Sequence, residues 1–487
     1  MEIVSSNRPN KRKIEISSFT SDQLNAYNHL IDWMNANYDE NDAKRALTGA
    51  AGTGKTYLVK ALIENCSLSY SLIGLAAPTH KACRVLNESI NLPNVKINTL
   101  QSDLGLKLNL NLDNFDINRP PFDPRGRIKI GDYKIYIVDE ASMIPSSLRM
   151  FLEKTCKTNK CKIIYIGDDS QLAPVGELKS SAFQNVEKYA LKQIVRQNDN
   201  NPIRPLLDML RYDIKNKKFT FLNYITNHPY CFDENNTMGY AVCNADKFSQ
   251  MVYLNFSDEA LTNNVDFCKV VAFTNPCVSN WNKSIRNAII KDAEKSIITV
   301  NDLILSYTTL VDDFNSLIIK NSEDYILKDI VNYTHPKYNI KGFLVKFIAI
   351  YGGTTTVPLF IVDHKDVESI STYINTSNNL INTAKQASAT IRATKWKEFY
   401  DFKESCLLLA DIVDRHGNVL FKRDLDYGFA LTSHKSQGST FDTVFVDVMD
   451  IVYNRNGYLY SNAEEINRRL YVACSRAKNK LYLKYGR

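Results

Sequence analysis

Eight consecutive residues have the types and the spacing of a phosphate-binding loop. They fit the pattern G-x-x-x-x-G-K-[ST] at every position and are Gly49, Ala50, Ala51, Gly52, Thr53, Gly54, Lys55 and Thr56. Glycines let successive backbone N–H groups face one anion, and the positive end of the following helix points to the same place. Lys55 can reach the β- and γ-phosphates, and the Thr56 hydroxyl can coordinate Mg²⁺. The loop therefore predicts binding of a nucleoside triphosphate, ATP, together with Mg²⁺.

Two adjacent acids stand where such a loop needs them. Residues 135–138 form an apolar run, and Asp139 and Glu140 follow it directly. In open parallel sheets, ligands lie at the carboxyl ends of the strands. An aspartate there can hold Mg²⁺ through water, and the adjacent glutamate can orient and deprotonate the attacking water. Adjacent acids are common on protein surfaces, but in a chain with this phosphate loop they favour a catalytic pair.

Three further polar residues are candidates for the nucleotide site. Gln171 follows another predicted strand, at residues 162–166, and is placed to sense the γ-phosphate. Arg196 is either a surface charge or a guanidinium directed at the triphosphate. Gln23 is either a surface amide or a contact to the edge of adenine, because one carboxamide can donate and accept at once.

The elements that must position these residues can be read around them. Residues 45–48 are predicted to form a strand and residues 57–64 a helix, which is the context that separates a phosphate-binding loop from a chance match. Thr20 or Ser21 can cap an earlier helix. The apolar residues of that helix recur at helical spacing and are Leu24, Tyr27, Leu30, Ile31 and Met34.

Polar turns after other predicted strands suit contacts to a phosphate backbone. In the first half these candidates are Pro78, Thr79, His80, Lys81 and Thr99. In the second half they are Thr274, Asn275, Thr432, His434 and Lys435. Gly438, in the same region, is a candidate for nucleotide binding. Taken alone, the first of these turns is equally well explained as an ordinary loop between a strand and a helix. A helix is predicted over residues 467–478, with Arg476 able to reach across a cleft.

The composition is that of a globular protein with several domains. A chain of 487 residues predicts about two to four domains, and 44% hydrophobic and 23% charged residues are ordinary values. The formal net charge of +7 is compatible with a polyanionic partner but does not require one. No apolar run approaches the roughly 18 residues of a membrane span, and the N-terminus lacks the apolar core of a secretion signal. The 10 cysteines include no C-x-x-C pair, so we expect free thiols and no zinc site.

Two stretches interrupt the strand–helix pattern. Alternating leucines and a Pro-rich turn at about residues 104–133 predict an extended ribbon that projects from the sheet. Residues from about 301 to 424 predict a β-rich inserted domain, with a hairpin over residues 342–362 and a helix over residues 389–409. The aromatic residues of that helix fit a core better than base stacking and are Trp396, Phe399 and Phe402.

The order of these motifs resembles that of the superfamily 1 helicases, and its details resemble the 5′→3′ branch, the RecD-like group of superfamily 1B. The matching motifs span about residues 20–478, nearly the whole chain. The resemblance implies these roles at the nucleotide: adenine reading by Gln23, Mg²⁺ binding by Thr56 and Asp139, water activation by Glu140, coupling by Gln171, and arginine fingers at Arg196 and Arg476. It implies strand-binding roles for residues 78–81, 99–102, 273–275 and 432–440.

The resemblance also implies an α/β fold with two RecA-like P-loop NTPase domains, each with a parallel sheet, and the nucleotide between them. The first motor domain would be residues 1–200, with a duplex-splitting pin at about 104–133. The second would be residues 201–300 and 425–487. Residues 301–424 would form a small β-rich, SH3-like domain inserted in the second.

The implied activity is that of an ATP-dependent DNA helicase that moves 5′→3′ on single-stranded DNA in replication, recombination or repair. Its partners would be single-stranded DNA, duplex junctions, and a single-strand-binding protein or replisome component. We expect a monomer without membrane contact in the cytoplasm, or the bacterial host cytoplasm if a phage encodes it.

Three other functional classes remain to be compared with this interpretation. An ATP-gated nucleic-acid-binding or remodelling protein would keep the nucleotide motifs without processive unwinding. A viral-type RNA helicase is equally compatible with the residues, because nothing in the sequence identifies a reader of the 2′-hydroxyl. A metabolic P-loop kinase is poorly supported, since it would not need residues 432–440 and Arg476.

Overall fold

The computed structural model describes residues 14–106, 127–177, 179–193, 195, 201–257, 264–312, 316–350 and 353–486. The chain divides into two units, Met1–Asp199 (unit 1) and Asn200–Arg487 (unit 2). Within the described residues, no helix has the length and apolar character needed to cross a membrane.

Unit 1 is built on one sheet of six parallel strands with helices on both faces. The strands are β1 (Lys44–Gly49), β2 (Ile73–Ala77), β3 (Lys96–Thr99), β4 (Ile135–Val138), β5 (Lys162–Gly167) and β6 (Glu187–Leu191), in the order β3-β2-β4-β5-β1-β6. The helices are α1 (Ser21–Asn35), α2 (Lys55–Asn65), α3 (His80–Ile90), α4 (Leu100–Asp103) and α5 (Ser146–Thr158).

Strand β4, near the centre of this sheet, is apolar at every position because both faces of the sheet are covered. Successive side chains of a strand point to opposite faces. In β4, Tyr136 and Val138 therefore pack into one core cluster, and Ile135 and Ile137 into the other. A run of four apolar residues without alternation is typical of a buried parallel strand.

The structure confirms the strand–loop–helix order around the phosphate loop and corrects one position of α1. Thr20 caps α1, and Gln23 completes a capping box with it. Leu24 is 40% exposed, whereas Trp33 is buried. Leu24 looked equally periodic because it precedes Tyr27 by three positions. The other predicted apolar residues are buried or partly buried as expected and are Tyr27, Leu30, Ile31 and Met34.

Unit 2 contains a second six-stranded sheet. Its strands are β7 (Tyr230–Phe232), β8 (Gly239–Cys243), β9 (Cys268–Ala272), β19 (Ala430–Thr432), β20 (Phe441–Asp447) and β21 (Ala477–Lys484), in the order β19-β9-β20-β21-β8-β7. All neighbours are parallel except β7 and β8. The helices around it are α6 (Arg204–Asn216), α7 (Phe221–Asn227), α8 (Ala245–Phe256), α9 (Asn275–Ile289), α12 (Val448–Val452) and α13 (Ala463–Cys474).

Between β9 and β19 the chain forms an antiparallel sheet. Its strands are β10 (Leu303–Ser306), β13 (Asp324–His335), β14 (Ile340–Ala349), β15 (Leu359–Val362) and β18 (Leu425–Tyr427), in the order β15-β14-β13-β10-β18. Two short pairs accompany it, β11 (Leu310–Val311) with β12 (Leu317–Ile319) and β16 (Ile412–Val413) with β17 (Val419–Phe421). Two helices complete the region, α10 (Val367–Gln386) and α11 (Ala389–Ser405).

These elements confirm the predicted α/β class with a β-rich insertion and correct three details. The main hairpin pairs β13 with β14, so the predicted partner strand is only the short β15. Helix α10 was missed. The predicted helix over residues 467–478 ends at Cys474, and Lys478 lies in β21. Most of the predicted pin, residues 107–126, lies outside the described residues.

Candidate nucleotide site and strand-contact segments

The predicted site residues of unit 1 that the structure describes share a location, apart from Gln23. Each lies in the phosphate loop or follows the carboxyl end of a strand in the same parallel sheet. The phosphate loop leaves β1, the acid pair leaves β4, and Gln171 follows β5. The polar turns at residues 78–81 and 99–102 leave β2 and β3. Because the strands are parallel, these five segments lie together at the carboxyl-terminal edge of the sheet, where all the strands end. Arg196 lies outside the described residues.

The phosphate loop is held in shape by its own hydrogen bonds. Gly52 and Gly54 have φ angles of +85° and +81°, a region that glycine occupies without strain. The Thr53 hydroxyl donates to the Ala50 carbonyl oxygen over 2.9 Å. Lys55 Nζ donates to the carbonyl oxygens of Gly49 and Ala50 over 2.7 and 3.0 Å. The lysine thus lies folded over the loop at the start of α2.

Gln23 is a buried brace of this loop. Its Nε2 donates to the Thr53 carbonyl oxygen over 3.0 Å, and its Oε1 accepts from the Thr20 N–H over 3.0 Å. A Cβ on Gly54 would lie 2.4 Å from Gln23 Nε2, so a larger residue there would displace the Gln23 amide and would also have to adopt a φ of +81°. The contact with adenine stays a prediction, and Gln23 has a structural role beside it.

The acid pair has an unusual backbone. Glu140 has φ +50° and ψ 39°, a left-handed conformation that is uncommon for a residue with a Cβ and that concentrates at functional sites. Its N–H donates to Asp139 Oδ1 over 2.9 Å. Burial raises the pKa of Asp139, while this hydrogen bond and the Lys55 ammonium oppose the rise. Lys55 and Asp139 therefore interact electrostatically within unit 1.

The loop after β5 is organised by a buried aspartate that the sequence interpretation left unassigned. The Oδ1 atom of Asp168 accepts from the Ser170 N–H over 2.9 Å. The backbone carbonyl oxygen of Asp168 accepts from the Gln171 N–H over 3.2 Å. Gln171 itself is buried. The turn fixes where its carboxamide starts, and its role in coupling stays a prediction.

Asp22 is another positioning residue that the sequence interpretation missed. Its carboxylate accepts from the backbone N–H groups of Lys192 and Gln193, just after β6. Farther on, the Val195 N–H donates to the Gly52 carbonyl oxygen over 3.0 Å. Burial opposes ionisation of Asp22, but hydrogen bonds from Thr20 and these N–H groups lower its pKa. The segment that leads to residue 196 is thus tied to α1 and to the phosphate loop. The only sequence signal was the capping box beside it.

The candidate strand-contact threonines of unit 1 are also helix caps. Thr79 Oγ1 accepts from the Ala82 N–H over 3.2 Å at the start of α3, and Thr99 Oγ1 accepts from the Ser102 N–H over 3.3 Å at the start of α4. Pro78 and Lys81 are buried, and His80 is half-buried. Capping leaves each threonine hydroxyl able to donate.

In unit 2, an aspartate that the sequence interpretation missed holds the first strand-contact segment. Asp450 accepts from the N–H groups of Phe273 and Thr274, each over 2.7 Å, and from the Thr274 hydroxyl over 2.6 Å. Thr274 also caps α9, which begins at Asn275. The donor of this hydroxyl is therefore engaged by Asp450 in the structure.

The second segment lies beside the first at the carboxyl ends of β9 and β19. The Ser433 N–H donates to the Ala272 carbonyl oxygen over 2.8 Å, and the Thr432 hydroxyl accepts from the Lys435 N–H over 3.2 Å. Lys435 Nζ lies 4.4 Å from the centre of the Tyr307 ring and donates to Ser322 Oγ over 3.2 Å. Lys435 thereby connects this segment to the antiparallel sheet.

Arg469, unassigned from the sequence, joins the two segments of unit 2. Its guanidinium lies 3.4 Å from the centre of the Phe273 ring and 5.0 Å from that of Tyr460. Burial lowers the pKa of His434 to about 4, and the nearby positive charge of Arg469 adds to that effect while Glu465 opposes it. His434 is therefore neutral at neutral pH, so any contact it makes to a phosphate is that of a neutral imidazole.

Arg476 and Gly438 lie at the opposite, amino-terminal edge of the unit 2 sheet, where the strands begin. Arg476 precedes β21, and its guanidinium donates to the carbonyl oxygens of Ser439 and Val472, each over 3.0 Å. Gly438 has φ +71° and precedes β20. The loop from Thr432 to Thr440 therefore runs from the edge of the strand-contact segments to the edge that carries Arg476.

No group of three or more His, Cys, Asp or Glu side chains that could hold a metal ion occurs in the described part of the chain. Mg²⁺ does not need such a group, because it is usually held by one or two carboxylates, water and substrate phosphates. The half-buried carboxylate of Asp139 and the hydroxyl of Thr56 are oxygen ligands of the kind this ion prefers.

Comparison with known families gives two matches in chain order. Residues 23–224 match a family described as an AAA domain, and residues 427–484 match the UvrD-like helicase C-terminal domain. A solved Pif1 helicase structure from Candida albicans superposes with a TM-score of 0.48 at 18% identity, covering 96% of this chain and 95% of that one.

Two viral proteins are similar over nearly their whole length. The uncharacterised protein R530 of Acanthamoeba polyphaga mimivirus is 25% identical, with 95% of this chain and 98% of the relative covered. The ATP-dependent DNA helicase dda of Enterobacteria phage T4 is also 25% identical, with 94% and 97% covered. The chain is thus similar to a DNA helicase over nearly its whole length. A shorter match, 29% identical, covers 32% of this chain and 20% of the RecD2 DNA helicase of Deinococcus radiodurans.

Proposed function

We propose that this chain is a superfamily 1B helicase that hydrolyses ATP to move 5′→3′ along single-stranded DNA and to separate duplex DNA. The observation that carries the proposal is the shared sheet edge of unit 1, where the phosphate loop, the acid pair, Gln171 and two polar turns all follow parallel strands. Strands that position the nucleotide also position the strand-contact turns, so a change at one is transmitted to the other. The similarity to the T4 DNA helicase over its full length supports DNA as substrate.

The residues of the phosphate loop and the acid pair divide the hydrolysis between them. Lys55 exchanges its loop carbonyls for β- and γ-phosphate oxygens, and Glu140 orients the attacking water and accepts its proton. Thr56 and Asp139 would hold Mg²⁺, which supplies positive charge at the phosphates. Gln171 reports the γ-phosphate to the loop after β5, and Gln23 contacts adenine while it braces the phosphate loop.

Two arginines complete the proposed chemistry. Arg196 and Arg476 act as arginine fingers that stabilise charge in the transition state. Such fingers contribute about 10³–10⁵-fold to turnover in related NTPases. Arg476 is held by backbone carbonyls of Ser439 and Val472, so its guanidinium is pre-oriented by unit 2.

The polar turns of both units form the proposed grip on single-stranded DNA. Its residues are Pro78, Thr79, His80, Lys81, Thr99, Thr274, Asn275, Thr432, His434 and Lys435. The two units grip the strand alternately as ATP binds and is hydrolysed, which moves it in one direction. Opening one base-pair step costs about 1.4 kcal/mol on average, so a wedge coupled to this movement is sufficient.

The proposed function includes a domain organisation, an oligomeric state and a cellular compartment. Residues 1–200 form the first motor domain, residues 201–300 and 425–487 the second, and residues 301–424 the inserted domain. The chain works as a monomer at duplex junctions, with a single-strand-binding protein or replisome component as partner, in the cytoplasm, or in the bacterial host cytoplasm if a phage encodes it.

ATP turnover with single-stranded DNA, with RNA of the same sequence and without nucleic acid tests this function. We expect strong stimulation by DNA and little by RNA. Equal stimulation by RNA would favour an RNA helicase. Turnover indifferent to both would leave an ATPase and contradict the motor function. DNA-stimulated turnover without strand separation would favour an ATP-gated binding or remodelling protein.

A further inference from the structure

Asp103 is a fully buried carboxylate that the nucleotide site and the strand-contact turns leave unexplained. It is the last residue of α4 and has an exposed fraction of 0%. Its Oδ1 accepts from Asn98 Nδ2 over 2.9 Å, and its Oδ2 accepts from the Tyr136 hydroxyl over 3.0 Å. A buried charge is costly unless it is hydrogen-bonded or paired. The hydrogen bonds from Asn98 and Tyr136 therefore offset the cost of burying the Asp103 carboxylate.

The same carboxylate contacts the far side of the insertion. Lys129 Nζ lies 3.8 Å from Asp103 Oδ1 and donates to Ser102 Oγ over 3.0 Å. The Lys129 N–H donates to the Asp103 carbonyl oxygen over 2.9 Å, and the Leu106 N–H donates to the Gln101 carbonyl oxygen over 2.9 Å. We call residues 104–106 and 127–133 the insertion root. Both halves of this root are thus fastened around α4.

The third partner leads to the nucleotide site. Tyr136 is a fully buried residue of β4, and the acid pair Asp139 and Glu140 follows the end of that strand. Its ring stacks on Tyr133 of the insertion root, with ring centres 5.9 Å apart. Burial raises the pKa of Asp103 to about 6, and Tyr136, Lys129 and Asn98 oppose the rise. This direction agrees with a carboxylate enclosed on all sides.

We propose that Asp103 is a positioning residue that fastens the strand-contact turn at Thr99–Ser102 and the insertion root to the strand carrying Asp139 and Glu140. The inference rests on the proposed helicase function. It assigns the mechanical connection between ATP chemistry and strand separation in unit 1 to one buried hydrogen-bond cluster.

Tyr136→Phe removes the hydroxyl that joins Asp103 to β4 and keeps the ring. Tyr165→Phe is a matched control, because Tyr165 is equally buried on the neighbouring strand β5 and donates to Glu153 Oε1 over 3.0 Å, away from the insertion root. Asp103→Asn and Glu153→Gln form the second matched pair. Asn keeps the size of Asp103 but replaces one accepting oxygen by a donor.

Amide hydrogen exchange tests the fastening directly. We expect Tyr136→Phe and Asp103→Asn to exchange the Leu106 and Lys129 amides about tenfold faster, which equals about 1.4 kcal/mol. The Tyr165→Phe and Glu153→Gln variants should leave these two amides unchanged. Equal exchange in all four variants would overturn the fastening.

Turnover tests the coupling. We expect Tyr136→Phe and Asp103→Asn to keep the maximal DNA-stimulated ATP turnover within about twofold, to raise the DNA concentration needed for half-stimulation, and to open several-fold fewer base pairs per ATP. If Asp103 and Tyr136 only stabilise the fold, their variants should lose turnover and unwinding in proportion, so that the base pairs opened per ATP stay the same as in the control variants. That result would overturn the proposal. Failure of the helicase function itself would be seen in the unmodified chain, whereas failure of this proposal is seen only between matched variants.

Discussion

At the phosphate loop, the lysine proposed to bind the triphosphate is held in place by carbonyl oxygens of its own loop. Lys55 Nζ donates to the carbonyls of Gly49 and Ala50, and Gln23 braces the loop at the Thr53 carbonyl. In the proposed function the ammonium exchanges these carbonyls for phosphate oxygens of higher charge. Because the loop is already shaped by its own hydrogen bonds, this exchange does not require it to fold first.

Replacement of this lysine gives the most direct test of the nucleotide assignment. We expect Lys55→Ala to lower ATP turnover by about 10²-fold or more while leaving thermal unfolding little changed, because the charge is removed from where the transition state gains it. The matched control is Lys60→Ala, one turn later on α2, which should turn over normally. Wild-type turnover by Lys55→Ala would contradict the assignment.

His364 gives the inserted region a stability that depends on pH. Its Nε2 accepts from the N–H groups of Leu409 and Ala410 over 3.0 and 3.2 Å, so the folded chain needs the neutral ring. Burial lowers the pKa of His364 to about 4, although Asp363 and Asp411 oppose this. Between about pH 6.5 and 4, the unfolded chain therefore binds a proton that the folded chain does not.

The free energy of unfolding should accordingly fall as the pH drops through this window. We expect the loss between pH 7.5 and pH 5 to be about 2 kcal/mol larger in the unmodified chain than in His364→Gln, whose amide oxygen accepts without titrating. Denaturant unfolding at the two pH values measures the difference. His434 titrates in both proteins and cancels. Parallel losses in the two proteins would show that His364 does not contribute.

Candidate residues could be predicted from the sequence where they follow a local motif. Residues that position others through contacts between distant parts of the chain were missed. Lys55, Asp139 and Glu140 follow a pattern that the chemistry itself imposes. Asp450 and Arg469 do not, because they are recognised only by the backbone and rings that folding brings to them from distant parts of the chain. No local spacing signals such a contact.

At the scale of elements, a buried ion pair joins the parallel sheet of unit 2 to the antiparallel sheet. Lys269 of β9 is fully buried, and its Nζ lies 3.2 Å from Asp324 Oδ1 at the start of β13. The same Nζ donates to the Gly428 carbonyl oxygen, where the chain returns from the inserted region. One side chain thus holds both an inserted strand and the return connection.

Removal of that lysine should loosen unit 2. We expect Lys269→Met to cost about 3–5 kcal/mol of unfolding free energy, because it leaves Asp324 buried and unpaired by charge. The exposed pair of Lys295 with Asp292 is the control, and Lys295→Met should cost under about 1 kcal/mol. Amide exchange in β9 measures both. The double variant Lys269→Met with Asp324→Asn should recover part of the loss, and no recovery would point to packing instead of charge.

Element boundaries were predictable where burial on two sides made the pattern continuous. Strands β1, β4 and β5 of unit 1 match their predicted runs within one residue at each end. Strands β3 and β6 had no continuous apolar run, because most of their residues are not buried. Helix α10 was missed because its buried residues include Ser369 and Ser377, so its apolar stripe is interrupted. The end of α13 was placed too late because the alternating residues of β21 begin only three positions after Cys474.

At the scale of the whole molecule, each unit presents polar segments at the carboxyl ends of adjacent parallel strands. In unit 1 these segments hold both nucleotide and strand-contact residues. In unit 2 the strand-contact segments and Arg476 lie at opposite edges of the sheet, and one loop of residues 432–440 spans the distance. That loop offers a physical route within unit 2 between the proposed arginine finger and the proposed grip on DNA.

The direction of movement is the central claim of the proposed function. The measurement is strand separation of duplexes that carry either a 5′ or a 3′ single-stranded overhang, at equal ATP turnover, with Glu140→Gln as a control that binds ATP and DNA but turns over slowly. We expect unwinding from the 5′ overhang alone. Unwinding from the 3′ overhang, or equal unwinding from both, would contradict a 5′→3′ helicase of superfamily 1B.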